Sequence, residues 1–375
     1  MQEVPNVAID VGPLHGRRTG VGNAVAWTLD ALADQPVELM PYLTSSRARV
    51  SPPERRLPIP AAAAVRWWAR PAPSPVRHLH ERWLGRPDVV HGTNYVTPPT
   101  TLPTMVSVYD CWFLEHPDDA VPDVRRAAAV LTRAAAEGAH VVTSSRATAD
   151  RVRDLLGTDL VESIHLGPPP PPPPATTSRD PRGDDDPIGM AGAPFVVALG
   201  TVERRKNYPT LVRAFARLAS EHPDARLVIA GAAGDGSVAV ATALDSLERS
   251  VRDRVQMPGA VDEPTKHWLL ANADVLAYPS LDEGFGFPIL EAQQAGTPVV
   301  ASTAGSIPEI AGSAALLSSP TDVDALAANL FWLLTSDEMT AKMIRRGRQN
   351  LERFSWQRAA ASLSARYQAL ADSGA

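Results

Sequence analysis

Seven consecutive prolines, Pro168–Pro174, divide this chain into two parts. Such a run favours an extended polyproline II rod that rises about 3.1 Å per residue. The polar, acidic stretch behind it, ATTSRDPRGDDDPIGMAGAP, has no core-forming pattern. A segment of this length without structure is either a linker or functional in itself. Residues 168–194 therefore read as a spacer between domains, or else as a docking segment for a partner that recognises proline-rich chains.

On both sides of the rod, short apolar runs alternate with helical patterns. Before it stand VAID (7–10), VELMPYL (37–43), DVVHG (88–92), MVSVYD (105–110), HVVTSS (140–145) and ESIHLG (162–167). After it stand FVVALG (195–200), ARLVIAG (225–231), VQMPG (255–259), DVLAYPS (274–280), PVVAS (298–302) and AALLS (314–318). Helical segments such as 23–33, 123–137 and 146–156 follow several of these runs. Short β-rich runs separated by helices imply parallel sheets covered on both faces. The fold class is α/β, with two doubly wound Rossmann-like domains, 1–167 and 195–353, expected to face a cleft. Ligands of such sheets bind beyond the carboxyl ends of the strands. The final segment, 354–375, has Ser355 placed as a helix N-cap and apolar Ala359, Leu363, Tyr367 and Leu370 at helical spacing.

Composition removes several classes of function. A net charge of −6 gives no basic face for a broad nucleic-acid footprint. The single cysteine, Cys111, excludes an internal disulfide framework and a multi-cysteine metal site. No run of 18 apolar residues would span a membrane, and MQEVPNVAID lacks the basic and apolar regions of a signal peptide. The expected location is cytoplasmic.

Three constellations can carry chemistry. In YPSLDEGFGFPILEAQQAGTPVVAS (278–302), Glu283 precedes a glycine loop and Glu291 lies one turn into the helix that Pro288 opens. Gly284 and Gly286 permit tight backbone geometry, and the N–H groups there suit a phosphate or anionic oxygen. Glu291 can accept hydrogen bonds from two hydroxyls, as a ribose requires. In GTVERRKN (200–207), Arg205 and Lys206 can address a diphosphate, one by a planar fork and the other as a point charge. In RRTGVGN (17–23), Gly20 and Gly22 can bring backbone N–H groups to a phosphate, although the third glycine of a full dinucleotide fingerprint is missing. Each motif also has a plain reading, as a solvated acid, an exposed charge run or a tight turn.

Together, DVVHGTN (88–94), VSVYD (106–110), GTVERRKN, the Glu-x7-Glu stretch, GSIPEIAG (305–312) and FSW (354–356) resemble the retaining glycosyltransferases of family 4. These have the two-domain GT-B fold, and the resemblance is closest to the mannosyltransferase-like branch that builds bacterial polysaccharides. It implies that Arg205 and Lys206 hold the donor diphosphate and that Glu291 binds the ribose. It also implies that Glu283 and the backbone of Gly284, Phe285, Gly286 and Phe287 contact the transferred sugar. Gly20 and Gly22 would close on the phosphates, Asp110 would face the transferred sugar or acceptor, and the last helix would return to the first domain. His91 and Tyr109 are further acceptor-side candidates. Many relatives have histidine where Tyr109 stands, and a phenol is a poor base near neutral pH. His116 is shifted by seven residues and does not inherit the role.

The resemblance implies transfer of a hexose, with mannose favoured, from a GDP- or UDP-sugar to a hydroxyl of a glycan, lipid-linked or small-molecule acceptor. It requires neither a cofactor nor a metal, and no nucleic acid takes part. The alternatives are a nucleotide-sugar-binding partner subunit and a sugar-nucleotide epimerase of the same architecture. RWWARPAPSPVRHLHERW (66–83) mixes arginines with Trp67, Trp68 and Trp83. That mix reads either as a peripheral contact with the inner membrane face or as a partly buried helical region.

Overall fold

The computed structural model describes residues 4–15, 19–118, 122–171, 186–190 and 192–374. Arg17, Arg18, Pro172–Pro174 and the acidic tail to residue 185 lie outside them. The chain forms two compact units, one of residues 1–167 with 354–375 and one of residues 168–353.

The first unit holds strands β1 (Asn6–Asp10), β2 (Glu38–Thr44), β3 (Arg55–Leu57), β4 (Val89–Gly92), β5 (Thr104–Val108), β6 (His140–Thr143) and β7 (Val161–Ser163). They pair in the order β3-β2-β1-β4-β5-β6-β7, all parallel. The short edge strand β3 is additional to the runs read from the sequence; its RRL has one apolar residue and no alternation to mark it. Central strands are buried on both faces, which is why they read as continuous apolar runs rather than alternating ones. Val7, Ile9, Val89 and Met105 pack with Ala359, Ala360, Leu363 and Tyr367 of the terminal helix Trp356–Gly374. Ser355 Oγ accepts from Arg358 N–H at 3.3 Å as its cap. That helix covers the first sheet although the chain reaches it last.

The second unit holds β8 (Phe195–Leu199), β9 (Arg226–Ala230), β10 (Val255–Gly259), β11 (Val275–Tyr278), β12 (Val299–Ser302) and β13 (Ala315–Ser318). Their order is β10-β9-β8-β11-β12-β13, again all parallel. Successive residues feed opposite cores: Val196, Ala198, Leu227 and Ile229 pack with Leu211 and Phe215, while Val197, Leu199 and Val228 pack with Ile289 and Ala292. The two ends of the stretch read as a spacer belong to this unit. Pro169 is buried and its carbonyl accepts from Gln294 Nε2 at 3.0 Å, while Met190 is buried in the second core. The expected boundary at residue 195 therefore moves toward the N-terminus, because Ile188 and Met190 supply apolar side chains that the core takes up.

Candidate active site

In the second sheet the chain runs from β8 to β9 on one side and reaches β11 on the other, so the switch point lies between β8 and β11. Crevices at such points are where open α/β sheets take ligands. The two segments leaving these strands are GTVERRKN and PSLDEGFG.

The first of them is a turn held from several sides. Arg204–Lys206 form a single 3-10 turn that ends on Asn207 at φ 56°, a left-handed position an asparagine tolerates. Asn207 Nδ2 donates to the carbonyls of Pro279 and Pro320 at 3.0 and 2.7 Å, and its Oδ1 accepts from Thr210 at 2.8 Å. Leu281 N–H donates to the Arg205 carbonyl at 2.7 Å, joining the two segments directly. Behind the turn, Asp235 accepts from Arg204 N–H at 2.9 Å. Gly231 lies so close that an added Cβ would stand 1.9 Å from the Gly200 carbonyl oxygen, so no side chain fits there.

These constraints bring the charges together. Lys206 Nζ donates to Glu283 Oε1 at 2.6 Å and to the Tyr278 hydroxyl at 3.2 Å. Arg205 Nη1 donates to Glu283 Oε2 at 2.8 Å, and Arg205 Nε lies 2.8 Å from Glu203 Oε2. Glu283 is not a solvated acid: it is 6% exposed and Lys206 is 7% exposed. Burial alone would raise the Glu283 pKa, but Lys206 and Arg205 outweigh it and hold the group down to about 2. Glu283 is therefore a weak base, fixed by two cations.

The glycine loop is equally constrained. Gly286 sits at φ 97°, which only glycine adopts readily, and the helix Phe287–Ala295 starts directly after it with no side-chain cap. Phe285 is buried, packed edge-to-face on Phe287 at 5.1 Å, so it shapes the loop from below. Gly305 and Ser306 brace it: Ser306 N–H donates to the Glu283 carbonyl at 3.0 Å and Ser306 Oγ to that of Phe285 at 3.2 Å. On the helix, Glu291 accepts from Lys266 Nζ at 2.8 Å, and Lys266 also pairs with Glu263 at 2.8 Å. Burial opposes the charge of Lys266, yet the two glutamates raise its pKa overall. Glu203, Tyr278 and Lys266 are the members that sequence reasoning missed. Only the spacing of Glu263 and Lys266 on one helix face hinted at any of them.

In the first unit the helix Gly20–Leu32 begins at Gly20, and Thr19 Oγ1 accepts from Gly22 N–H at 3.4 Å. The Gly22 N–H expected to meet a phosphate is thus engaged by the cap. A Cβ at Gly20 would meet nothing within 4 Å, so the unit itself does not demand glycine there. Asp110 accepts from Trp112 N–H at 3.2 Å and from the Tyr95 hydroxyl at 3.4 Å. His91 is buried, with Nδ1 2.7 Å from the Tyr367 hydroxyl and Nε2 2.8 Å from Ser107 Oγ. Burial lowers its pKa to about 3, so the ring stays neutral. Both ring nitrogens are engaged within the unit, and the Tyr367 contact ties the terminal helix to β4. Burial raises the Tyr109 pKa well beyond that of a free phenol, which removes it as a base. Among the described residues no cluster of three metal-ligating side chains occurs.

Residues 188–350 match the family described as glycosyl transferases group 1. The chain is 34% identical over 173 residues to O-antigen chain mannosyltransferase B of Escherichia coli, covering 45% of this chain and 44% of that one. It is 41% identical over 125 residues to the MMP alpha-(1->4)-mannosyltransferase of Mycolicibacterium hassiacum, covering 32% and 30%. This chain spans less than half the length of these curated relatives. Among solved structures it is similar to sucrose-phosphate synthase from Thermosynechococcus elongatus, with a TM-score of 0.73 and 19% identity over 98% of this chain and all of that one. It is also similar to WaaG, a glycosyltransferase of lipopolysaccharide biosynthesis, with a TM-score of 0.67 and 14% identity over 96% and 98%. The chain carries a glycosyltransferase group 1 domain on a GT-B fold of two Rossmann-like, all-parallel halves. The glycosyltransferase resemblance read from the motifs agrees with this match over the second unit, and mannosyltransferases are among the relatives.

Proposed function

We propose that the chain is a retaining glycosyltransferase that moves a hexose, mannose favoured, from a GDP- or UDP-sugar to a hydroxyl of a glycan, lipid-linked or small-molecule acceptor. The observation that carries this reading is the junction of Arg205, Lys206 and Glu283 at the β8/β11 switch point, with Glu291 on the helix that follows. The mannosyltransferase names among the relatives support the choice of sugar. Breaking the glycosidic bond puts negative charge on the leaving diphosphate, and Arg205 and Lys206 offer preorganised positive charge to meet it. Glu291, held on one oxygen by Lys266, has its other oxygen for ribose hydroxyls. Glu283 cannot serve as the base that a hydrolase-like two-carboxylate mechanism needs, because its two cations keep it ionised and weakly basic. The departing phosphate is then the group that takes the acceptor proton, on the same face from which it leaves, which retains configuration.

The test is a thermal-shift series with GDP, UDP and ADP, followed by mass spectrometry of products from the matching mannose and glucose donors. Stabilisation by one diphosphate and its loss in Glu291→Gln are expected, together with a glycosylated product whose new linkage keeps the donor's anomeric configuration by proton NMR. No stabilisation by any nucleoside diphosphate would remove the reading.

A further inference from the structure

The helix Glu263–Asn272 starts beyond the carboxyl end of β10, and the helix Phe287–Ala295 beyond that of β11. Both pack on one face of the second sheet, where Leu269 and Leu270 share a core with Ile289 and Ala292. Their opening turns therefore lie at the end of the sheet where ligands bind. Lys266, in the opening turn of the first helix, donates from Nζ to Glu291 Oε1 on the second at 2.8 Å. Its other carboxylate partner is Glu263, whose Oε2 lies 2.8 Å from the same nitrogen.

The helix that carries Lys266 does not itself account for a lysine there. A cation in the opening turn faces the positive end of the helix dipole and is disfavoured. The helix is already capped by Asp262, which accepts from Thr265 N–H at 3.0 Å. Holding a long lysine chain in one geometry also costs rotamer freedom. The compensating gain lies at Glu291, whose side chain is only 12% exposed. Its own helix offers it no cation, since the residues three and four away are Phe287, Pro288, Gln294 and Ala295. Among the described residues Lys266 is its ion-pair partner, and it commits Oε1. Oε2 has no hydrogen-bond partner among them and is the oxygen left to accept from a ligand. A carboxylate clamped through one oxygen is preorganised, whereas a rotating one must be ordered by each ligand it binds. Clamping therefore converts a general acceptor into one that reads where hydroxyls stand.

We propose that Lys266 is a positioning residue that acts through Glu291, fixing its carboxylate so that the site selects ribonucleoside over deoxyribonucleoside diphosphates. The inference rests on the transferase reading, in which Glu291 meets the ribose. The experiment is calorimetric titration of the full chain with GDP, UDP, dGDP and dUDP. It is repeated on Lys266→Met, Lys266→Gln and Lys266→Arg, with circular dichroism checking the fold. The natural chain should bind at least one ribonucleotide about tenfold or more tightly than its deoxy counterpart, as a hydroxyl bonded to a charged group requires. Lys266→Met should weaken that ribonucleotide about tenfold while changing the deoxy counterpart less than about threefold, so the preference collapses. Lys266→Arg, which keeps the charge and the reach, should retain most of it. A lysine that only supported the fold, or that touched the phosphates directly, would weaken both nucleotides alike. That outcome, or an unchanged preference in Lys266→Met, overturns the proposal. Should Lys266→Met fail to fold, Lys266→Gln, which keeps a polar head without the charge, decides by the same comparison. A natural chain that binds a diphosphate without preferring ribose overturns this inference and leaves donor binding standing. Binding of none of the four nucleotides would remove the transferase reading, and this inference with it.

Discussion

Glu283, in the loop after β11, and Asp10, the last residue of β1, are both buried acids, and their surroundings drive them in opposite directions. Glu283 already neutralises the cations that a diphosphate would use, so binding must share or displace it. Glu283→Gln should therefore bind free GDP or UDP no more weakly, and up to several-fold more tightly, while turnover of the full donor falls. Arg205→Ala, on a less buried side chain, should lower nucleotide affinity by about 2 kcal/mol or more, with a smaller loss of stability than Lys206→Ala because Lys206 still pairs with Glu283. Lys206→Ala would leave a buried carboxylate half-paired, so destabilisation of about 3–5 kcal/mol would obscure its binding effect. Calorimetric titration of the three variants checks the order. Asp10 gives the converse prediction. Its pKa rises from 3.8 to about 6 on folding, so its contribution is complete below 3.8 and is lost as pH rises through about 6. At neutral pH the cost approaches about 3 kcal/mol. Urea midpoints should show Asp10→Asn more stable than the natural chain above pH 6, with the gap closing toward pH 4. A gap that is independent of pH would show that the carboxylate carries no such strain.

At the scale of elements, strands were legible because a parallel strand buried on both faces must be apolar throughout, as FVVAL and VLAY are. What the sequence could not show was the contact of Arg205 with Glu283, 78 positions apart, since sheet order alone makes those loops neighbours. Nor could it show Glu283 as buried, because an acid beside glycines reads as solvated until its cations are placed. The GSIPEIAG motif acquires a physical role in the same way. Gly305 stands at φ 55°, and a Cβ there would lie 2.6 Å from Asp282 Oδ1 and 2.7 Å from the Glu283 carbonyl oxygen. Gly305→Ala must push the Glu283 loop aside, although it touches no charged side chain of the Arg205–Lys206 turn. Its expected signature is a loss of donor turnover of at least about tenfold, about 1.4 kcal/mol of barrier, in a protein that still folds. Unchanged steady-state rates would show that the loop tolerates the shift.

For the whole molecule the informative quantity is where its charge lies. The chain carries −6 overall, yet between Arg47 and Arg86 there are nine arginines and only two acids. One of those acids, Glu81, is buried and accepts from Thr101 N–H and Oγ1, so it offers little to the surface. The helices Ala61–Trp68 and Ser74–Leu84 present Trp67, Val76 and Leu79 to solvent among Arg66, Arg70 and Arg82. Trp68 is instead buried edge-on to His80, and Trp83 is half-buried, so one tryptophan of the expected three is available. Among the described residues no helix is long and apolar enough to cross a membrane. An exposed indole on a segment rich in exposed arginines suits the headgroup region of an anionic bilayer, where each basic residue near the surface contributes about 1 kcal/mol. We therefore expect this face to hold the protein against a membrane that presents a lipid-linked acceptor. Flotation with vesicles of phosphatidylglycerol and phosphatidylcholine should carry the protein upward at low salt and release it near 0.5 M salt, where the Debye length falls to roughly 4 Å. Trp67→Ala should weaken flotation, and the double variant Arg66→Glu with Arg70→Glu should abolish it, with nucleotide binding unchanged in both. Flotation that is equal on neutral vesicles, or unaffected by these substitutions, would assign the arginines to the surface of a soluble protein.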